Sequence, residues 1–233
     1  MMSSPYPSYV DMDRFIDSGR LRGLDLYIRE RLERRLASEE DTPFYTGPFT
    51  LRDGAPTRPG SRMVYLSRSH RAERYYDLDR TEQWTVSDEA AEFGELMAFI
   101  DRLPFAATGR MLIMYDPVGG AVTAHRDHDQ TDVCHEFVWF RTNLRKPFYL
   151  LDPTSGESCH VAGYSAWFDT VNQYHGAEAT GELAWSIRVD GRFTDGFRAL
   201  MPAVADNPAS RPARWSERLN SATPAATERE TIP

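Results

Sequence analysis

Five of the six histidines, His125, His128, His135, His160 and His175, fall within 51 consecutive residues of a 233-residue chain. An even spread would put about one there. Imidazole binds first-row metals readily near neutral pH, so the cluster points to a metal centre. Its sharpest piece is His125-Arg126-Asp127. Residues two apart on a strand face the same way, so an imidazole and a carboxylate at that spacing can meet one ion. The pair alone has little weight, because roughly every second chain of this composition carries an H-x-D by chance. His175 supplies a third donor. Two imidazoles and one carboxylate would occupy one face of an octahedron and leave three positions open.

Beyond His175 comes Trp185-Ser186-Ile187-Arg188-Val189-Asp190, where alternation puts Ser186 and Arg188 on the face opposite Trp185 and Ile187. An inward arginine suits an anion, since its planar fork accepts a carboxylate through two parallel hydrogen bonds. Two imidazoles and a carboxylate with three positions open are the facial triad of non-haem Fe(II) oxygenases.

A scaffold for these groups is legible in the patterning. Leu21, Leu24, Ile28, Leu32 and Leu36 recur at helical spacing and predict an amphipathic helix. Residues 43–59 read as loop, and Met63 to Leu66 as a first strand. A second helix is expected to start at Ser87 as N-cap, bury Phe93, Leu96, Met97, Ile100 and Leu103 on one face, and stop at Pro104. After Pro104, short runs rich in β-branched and aromatic residues alternate with turn residues. Eight strands are predicted: 110–115, 122–127, 135–141, 147–151, 158–161, 165–170, 173–178 and 183–190. Eight short strands fit a mainly β fold with flanking helices and a double-stranded β-helix core, of jelly-roll or cupin-like form, in which the second and seventh strands can be neighbours. The expected organisation is an N-terminal helical and mixed segment (1–104) packed on the core, the catalytic core (105–202), and a mobile tail (203–233).

Composition narrows the function. A formal net charge of −8 disfavours nucleic acid as a partner, because phosphate neutralisation needs a basic face. No apolar run approaches the ~20 residues of a membrane span, and the N-terminus lacks secretory features, so a cytoplasmic location is expected. Cys134 and Cys159 belong to no CxxC pair, which excludes a zinc finger, and read as small buried hydrophobes. Of 27 basic residues only Lys146 is lysine, a skew that by itself assigns no function. Asp129, Asp132 and Glu136 read as a solvated charge run. The partner is expected to be a small molecule or a peptide, with the oligomeric state open.

Taken together, the H-x-D, the distal His175 and the following Arg188 resemble the Fe(II)/2-oxoglutarate-dependent oxygenase superfamily. Within it, Trp167-Phe168-Asp169-Thr170 before His175 and the closing Ser-Ile-Arg-Val-Asp look most like the aspartyl/asparaginyl β-hydroxylase-like group, over about a third of the chain. The resemblance implies that His125, Asp127 and His175 are catalytic and bind Fe(II). It implies that Arg188, with Ser186, binds the distal carboxylate of 2-oxoglutarate, and that O₂ takes the last position. His135 lies near a family histidine that touches the cosubstrate, although Val133 stands where the family often has arginine. His128 and Trp139 are candidates to contact the prime substrate. The implied reaction hydroxylates an unactivated C–H of an amino acid, peptide or amino-acid-derived metabolite with release of succinate and CO₂. Asp127 favours hydroxylation over halogenation, because related halogenases have a small residue there. Three other classes fit parts of the pattern: a cupin-type metalloenzyme with His128 or His135 as a further ligand, a non-catalytic small-molecule-binding barrel, and an interaction protein using the Leu24-Ile28-Leu32 helix.

Overall fold

Alternating apolar residues pair into strands over the second half of the chain, and the residues before them add helices and sheet edges. The computed structural model describes residues 7–38, 61–69, 81–127, 136–152, 154–170 and 173–204. In chain order these form β1 (Val10–Asp11), α1 (Ser18–Gly23), α2 (Asp25–Ser38), β2 (Arg62–Tyr65), β3 (Ser67–Ser69), β4 (Trp84–Val86) and α3 (Gly94–Ile100). The core strands follow: β5 (Phe105–Asp116), β6 (Val122–His125), β7 (Phe137–Phe140), β8 (Phe148–Leu151), β9 (Ser158–His160), β10 (Ser165–Trp167), β11 (Tyr174–Ala177) and β12 (Ala184–Phe193). Helix α4 (Asp195–Val204) ends the described chain.

Two antiparallel sheets face each other. One has the order β1-β10-β7-β12-β5-β2 and the other β6-β11-β8-β9. The eight strands from β5 to β12 alternate between the sheets as a double-stranded β-helix does, first with eighth and third with sixth on one side, second with seventh and fourth with fifth on the other. Each falls on a predicted strand. The largest extension is β5, which starts at Phe105 because that ring stacks on Phe193 of β12 at 4.9 Å.

The segment before residue 105 also supplies strands. Val10 pairs with Trp167 at one edge of the larger sheet, and β2 pairs with β5 at the other. Helices α1 and α2 bury Leu21, Leu24, Ile28 and Leu32 in the same apolar cluster as Phe99, Phe140 and Ile187. No helix among the described residues is long and apolar enough to cross a membrane.

Four expectations change. The second helix begins as a 3-10 turn over Asp88–Phe93, and Ser87 makes no side-chain cap. Its hydroxyl donates instead to the Tyr65 carbonyl at the end of β2, at 2.6 Å. Glu136 is buried, accepting from the Arg198 guanidinium at 2.7 Å and from the Phe193 N–H, so it anchors α4 and is no solvated charge. Strand β6 stops at His125, two residues short of Asp127, and α4 carries helix past residue 202. The predicted loop 43–59, Asp129, Asp132, Cys134 and residues 205–233 lie outside the described residues.

Candidate metal centre

Strand pairing brings the two histidines together. In the β6–β11 ladder His175 lies directly opposite His125, with ring centroids 4.4 Å apart. The neighbouring glycine makes this approach feasible, since a Cβ on Gly176 would fall 2.6 Å from the Val122 carbonyl oxygen. Nδ1 of His125 bonds the Thr123 carbonyl at 2.8 Å. A carbonyl only accepts, so Nδ1 carries the proton and Nε2 keeps its lone pair for an ion. His175 is held differently. Its Nδ1 is buried without a hydrogen-bond partner, and its ring is packed by Phe168 at 5.3 Å and Phe148 at 6.0 Å.

Asp127 reaches the pair from just beyond β6, where its N–H donates to the Thr170 carbonyl at 3.0 Å. Its Oδ1 lies 3.2 Å from His175 Nε2 and 4.0 Å from His125 Nε2. One donor atom from each residue lies within 4.8 Å of the others. Ligand bonds of about 2.0–2.2 Å place neighbouring donors roughly 3 Å apart, so the Asp127–His175 pair is already at ligand spacing and His125 would have to move toward it. Two imidazole nitrogens and a carboxylate oxygen suit Fe(II) among the divalent first-row metals. Burial alone would raise the Asp127 pKa, but the charges of His175 and Arg188 hold it well below the ordinary carboxylate value. It is therefore ionised and ready to ligate.

Arg188 is buried beside it. Its Nη1 donates to Asp127 Oδ2 at 2.5 Å and its Nε to Asp190 Oδ1 at 2.9 Å, while the guanidinium lies 4.1 Å from the centre of the Phe137 ring. Asp190 also accepts from Arg110 Nε at 2.9 Å. The structure thus differs from a fork open on two nitrogens: Asp127 and Asp190 hold two of them, and Nη2 has no protein partner among the described residues. Arg110 and Asp190 were not singled out in the sequence. The signal for Asp190 was its position two residues from Arg188, which puts both on one strand face.

The triad and Arg188 line a cavity of about 150 Å³ between the sheets. Phe137, Trp139, Phe148 and Phe168 form its aromatic wall, and Ser186 lies on the opposite side of Arg188 from Asp190 along β12. Trp139 is almost fully buried and stacks on Phe148 at 4.4 Å, so it meets the cavity as part of the wall. His128 and His135 lie outside the described residues. His160 is exposed on the outer face of the smaller sheet and pairs with Glu178 at 2.8 Å. Cys159 is half-buried, and burial raises its thiol pKa.

No protein-family model matches the chain, and no curated protein matches it. Among solved structures it is similar to a Pseudomonas putida prolyl-4-hydroxylase, at 16% identity and a TM-score of 0.41, over 77% of this chain and 89% of that one. A Trichoplax adhaerens prolyl hydroxylase in complex with a hypoxia inducible factor peptide fragment is 13% identical with a TM-score of 0.41, over 78% and 80%. The epimerase SnoN in complex with Fe3+, alpha ketoglutarate and nogalamycin RO is 14% identical with a TM-score of 0.38, over 78% and 77%.

Proposed function

We propose that the protein is a non-haem Fe(II)- and 2-oxoglutarate-dependent oxygenase that hydroxylates an amino acid, a peptide or a metabolite derived from one. The observation that carries the reading is the meeting of His125, Asp127 and His175 within 4.8 Å in the wall of a cavity that also holds the buried Arg188. The substrate class rests on the resemblance of the Tyr115 to Asp190 stretch to the aspartyl/asparaginyl β-hydroxylase-like group.

Each residue has a separable task. His125 Nε2, His175 Nε2 and Asp127 Oδ1 hold the ion from one side and leave its other side to the cavity. Bound Fe(II) supplies the oxidative decarboxylation of 2-oxoglutarate to succinate and CO₂, with the second oxygen atom of O₂ delivered to a substrate C–H. Arg188 Nη1 balances the charge on Asp127 and holds its carboxylate in one orientation. Nη2, with Ser186 two residues along the strand, is left to bind the cosubstrate's distal carboxylate. The aromatic wall keeps water from the space between them, which strengthens every charge contact inside.

The test is anaerobic Fe(II) binding followed by succinate release from 2-oxoglutarate, with a panel of amino acids and short peptides. One Fe(II) per chain and iron-dependent succinate formation are expected. A protein that binds no Fe(II), or that leaves 2-oxoglutarate intact with every panel member and alone, would sink the reading.

A further inference from the structure

Asp127 stands beyond the end of β6, so the β6–β11 ladder does not by itself fix its distance from His175. That distance depends on the connection from β10 to β11, which carries two supports of the site. Phe168 packs the His175 ring at 5.3 Å, and the Thr170 carbonyl accepts the Asp127 N–H at 3.0 Å. Strand β10 belongs to the larger sheet and β11 to the smaller, and Phe168, Thr170 and Gln173 lie outside the ladders of both. Some other contact has to hold them.

Gln173 is fully buried, and both ends of its side-chain amide are used on one residue 165 positions away. Its Oε1 accepts the Ser8 N–H at 3.1 Å, and its Nε2 donates to the Ser8 carbonyl at 2.7 Å. The amide thus pairs with backbone as a neighbouring strand would. The Gln173 N–H donates to the Asp169 carbonyl at 3.2 Å, which ties it back to the residue before Thr170. The segment it grips is anchored in turn. Val10 pairs with Trp167 and Asp11 with Ala166, and the Met12 N–H donates to the Ser165 carbonyl at 3.2 Å. Asp13 accepts from the Tyr164 N–H at 2.8 Å and from the Ser165 hydroxyl at 2.6 Å, while the Tyr9 hydroxyl accepts the Ala162 N–H at 3.3 Å. A two-residue strand is shorter than the usual range and holds little by its ladder alone, so these side-chain bonds secure residues 8–13 along β10. Unpairing a buried amide leaves a donor and an acceptor unsatisfied, which keeps Gln173 on Ser8.

Resting on the oxygenase reading above, we propose that Gln173 is a positioning residue of the metal centre: by gripping the Ser8 backbone it makes residues 8–13 fix Thr170 and His175 in place, and with them the 3.2 Å spacing of Asp127 Oδ1 and His175 Nε2. Gln173 acts through those residues and gives the ion no ligand atom. A donor pair set at ligand spacing before the ion arrives does not have to be ordered on binding.

The experiment is anaerobic titration of Fe(II), and of Co(II) as a spectroscopic probe, into the full chain as wild type, Gln173→Met, Ser8→Pro and the double variant. Denaturant unfolding of each metal-free protein runs alongside. Methionine keeps the length of the side chain and removes both hydrogen bonds. Proline at position 8 removes the N–H that Gln173 Oε1 accepts and leaves the chain from Phe168 to His175 unaltered. Gln173→Met should weaken metal binding about tenfold and shift the Co(II) ligand-field bands, which report the arrangement of the donors. Ser8→Pro should do the same to a smaller degree, and the double variant should bind no more weakly than Gln173→Met, because both changes act on one contact. A residue that served folding alone would lower the unfolding midpoint and leave the metal affinity and Co(II) bands of the folded protein as in wild type. That result, or additive losses in the double variant, overturns the proposal and leaves the oxygenase reading in place. If Gln173→Met does not fold, Ser8→Pro decides by the same two readouts. A wild type that binds no Fe(II) overturns the oxygenase reading, and this proposal with it.

Discussion

On the smaller sheet, His125 and His175 face each other, the first bonding the Thr123 carbonyl and the second packed by Phe148 and Phe168 with its Nε2 3.2 Å from Asp127. On the larger sheet, Arg110, Asp190 and Arg188 form an alternating chain of buried charges that ends on Asp127. The first wall presents two imidazoles to the cavity, and the Nδ1 of His175 is buried without a hydrogen-bond partner. The second cannot lose a member without leaving a charge buried and unpaired. The candidate metal donors and the buried charge chain thus lie on opposite sides of one cavity, joined at Asp127.

The largest effect should come from the charged wall. Asp190 is fully buried between two guanidiniums, so Asp190→Asn should destabilise the fold by about 3–5 kcal/mol in denaturant titration, the cost of unpairing a buried charge. Retention of wild-type stability would show that Arg110 and Arg188 find other partners. On the neutral wall, His175→Ala should lower metal affinity at least a hundredfold. Its stability should fall by less than that of Asp190→Asn. Full metal occupancy in that variant would break the assignment of the triad.

The two walls were not equally legible in the sequence. Short alternating runs bounded by turn residues located all eight core strands, and the meeting of His125, Asp127 and His175 followed from residue type and spacing, because β6 and β11 pair as neighbours in the fold the pattern implied. The charge chain was half visible. Arg188 was found as an inward arginine, but Asp190 also accepts from Arg110, 80 residues away in sequence, and no local pattern encodes that pairing. Ser87 does stand at the N-cap position, but its side chain makes no cap because its acceptor, the Tyr65 carbonyl, lies on a different element. Glu136 was misread for the same reason, its partner Arg198 being 62 residues away. Lys146 stood out in composition, yet only the placement of the β7–β8 connection shows that it lines the cavity.

Arg188→Ala tests the join between the walls. It removes a charge-assisted contact worth on the order of 1.5–3 kcal/mol, so 2-oxoglutarate affinity should fall roughly ten- to a hundredfold. Metal affinity should fall as well, since Asp127 loses the group that orients it. Arg188→Lys should recover part of both, a point charge replacing a planar fork. Unchanged metal affinity in Arg188→Ala would separate the two walls and show that Asp127 is oriented without the arginine.

The smallest effect belongs to the outer face of the smaller sheet. His160 lies opposite Tyr149 in register, and Tyr149 opposite Gly176, so the pleat turns all three away from the face that carries His125 and His175. Its ring is 54% exposed and meets the equally exposed Glu178 at 2.8 Å. A surface ion pair of this kind is screened by solvent and loses side-chain entropy on forming, so it contributes about 0–1 kcal/mol at most. His160→Ala should therefore shift stability by less than about 0.5 kcal/mol and leave metal affinity within error of wild type. Calorimetric titration of metal into His160→Ala and His175→Ala side by side makes the comparison within one sheet. Equal losses in the two variants would mean that the pleat does not separate them and that the metal is held by a different set of histidines.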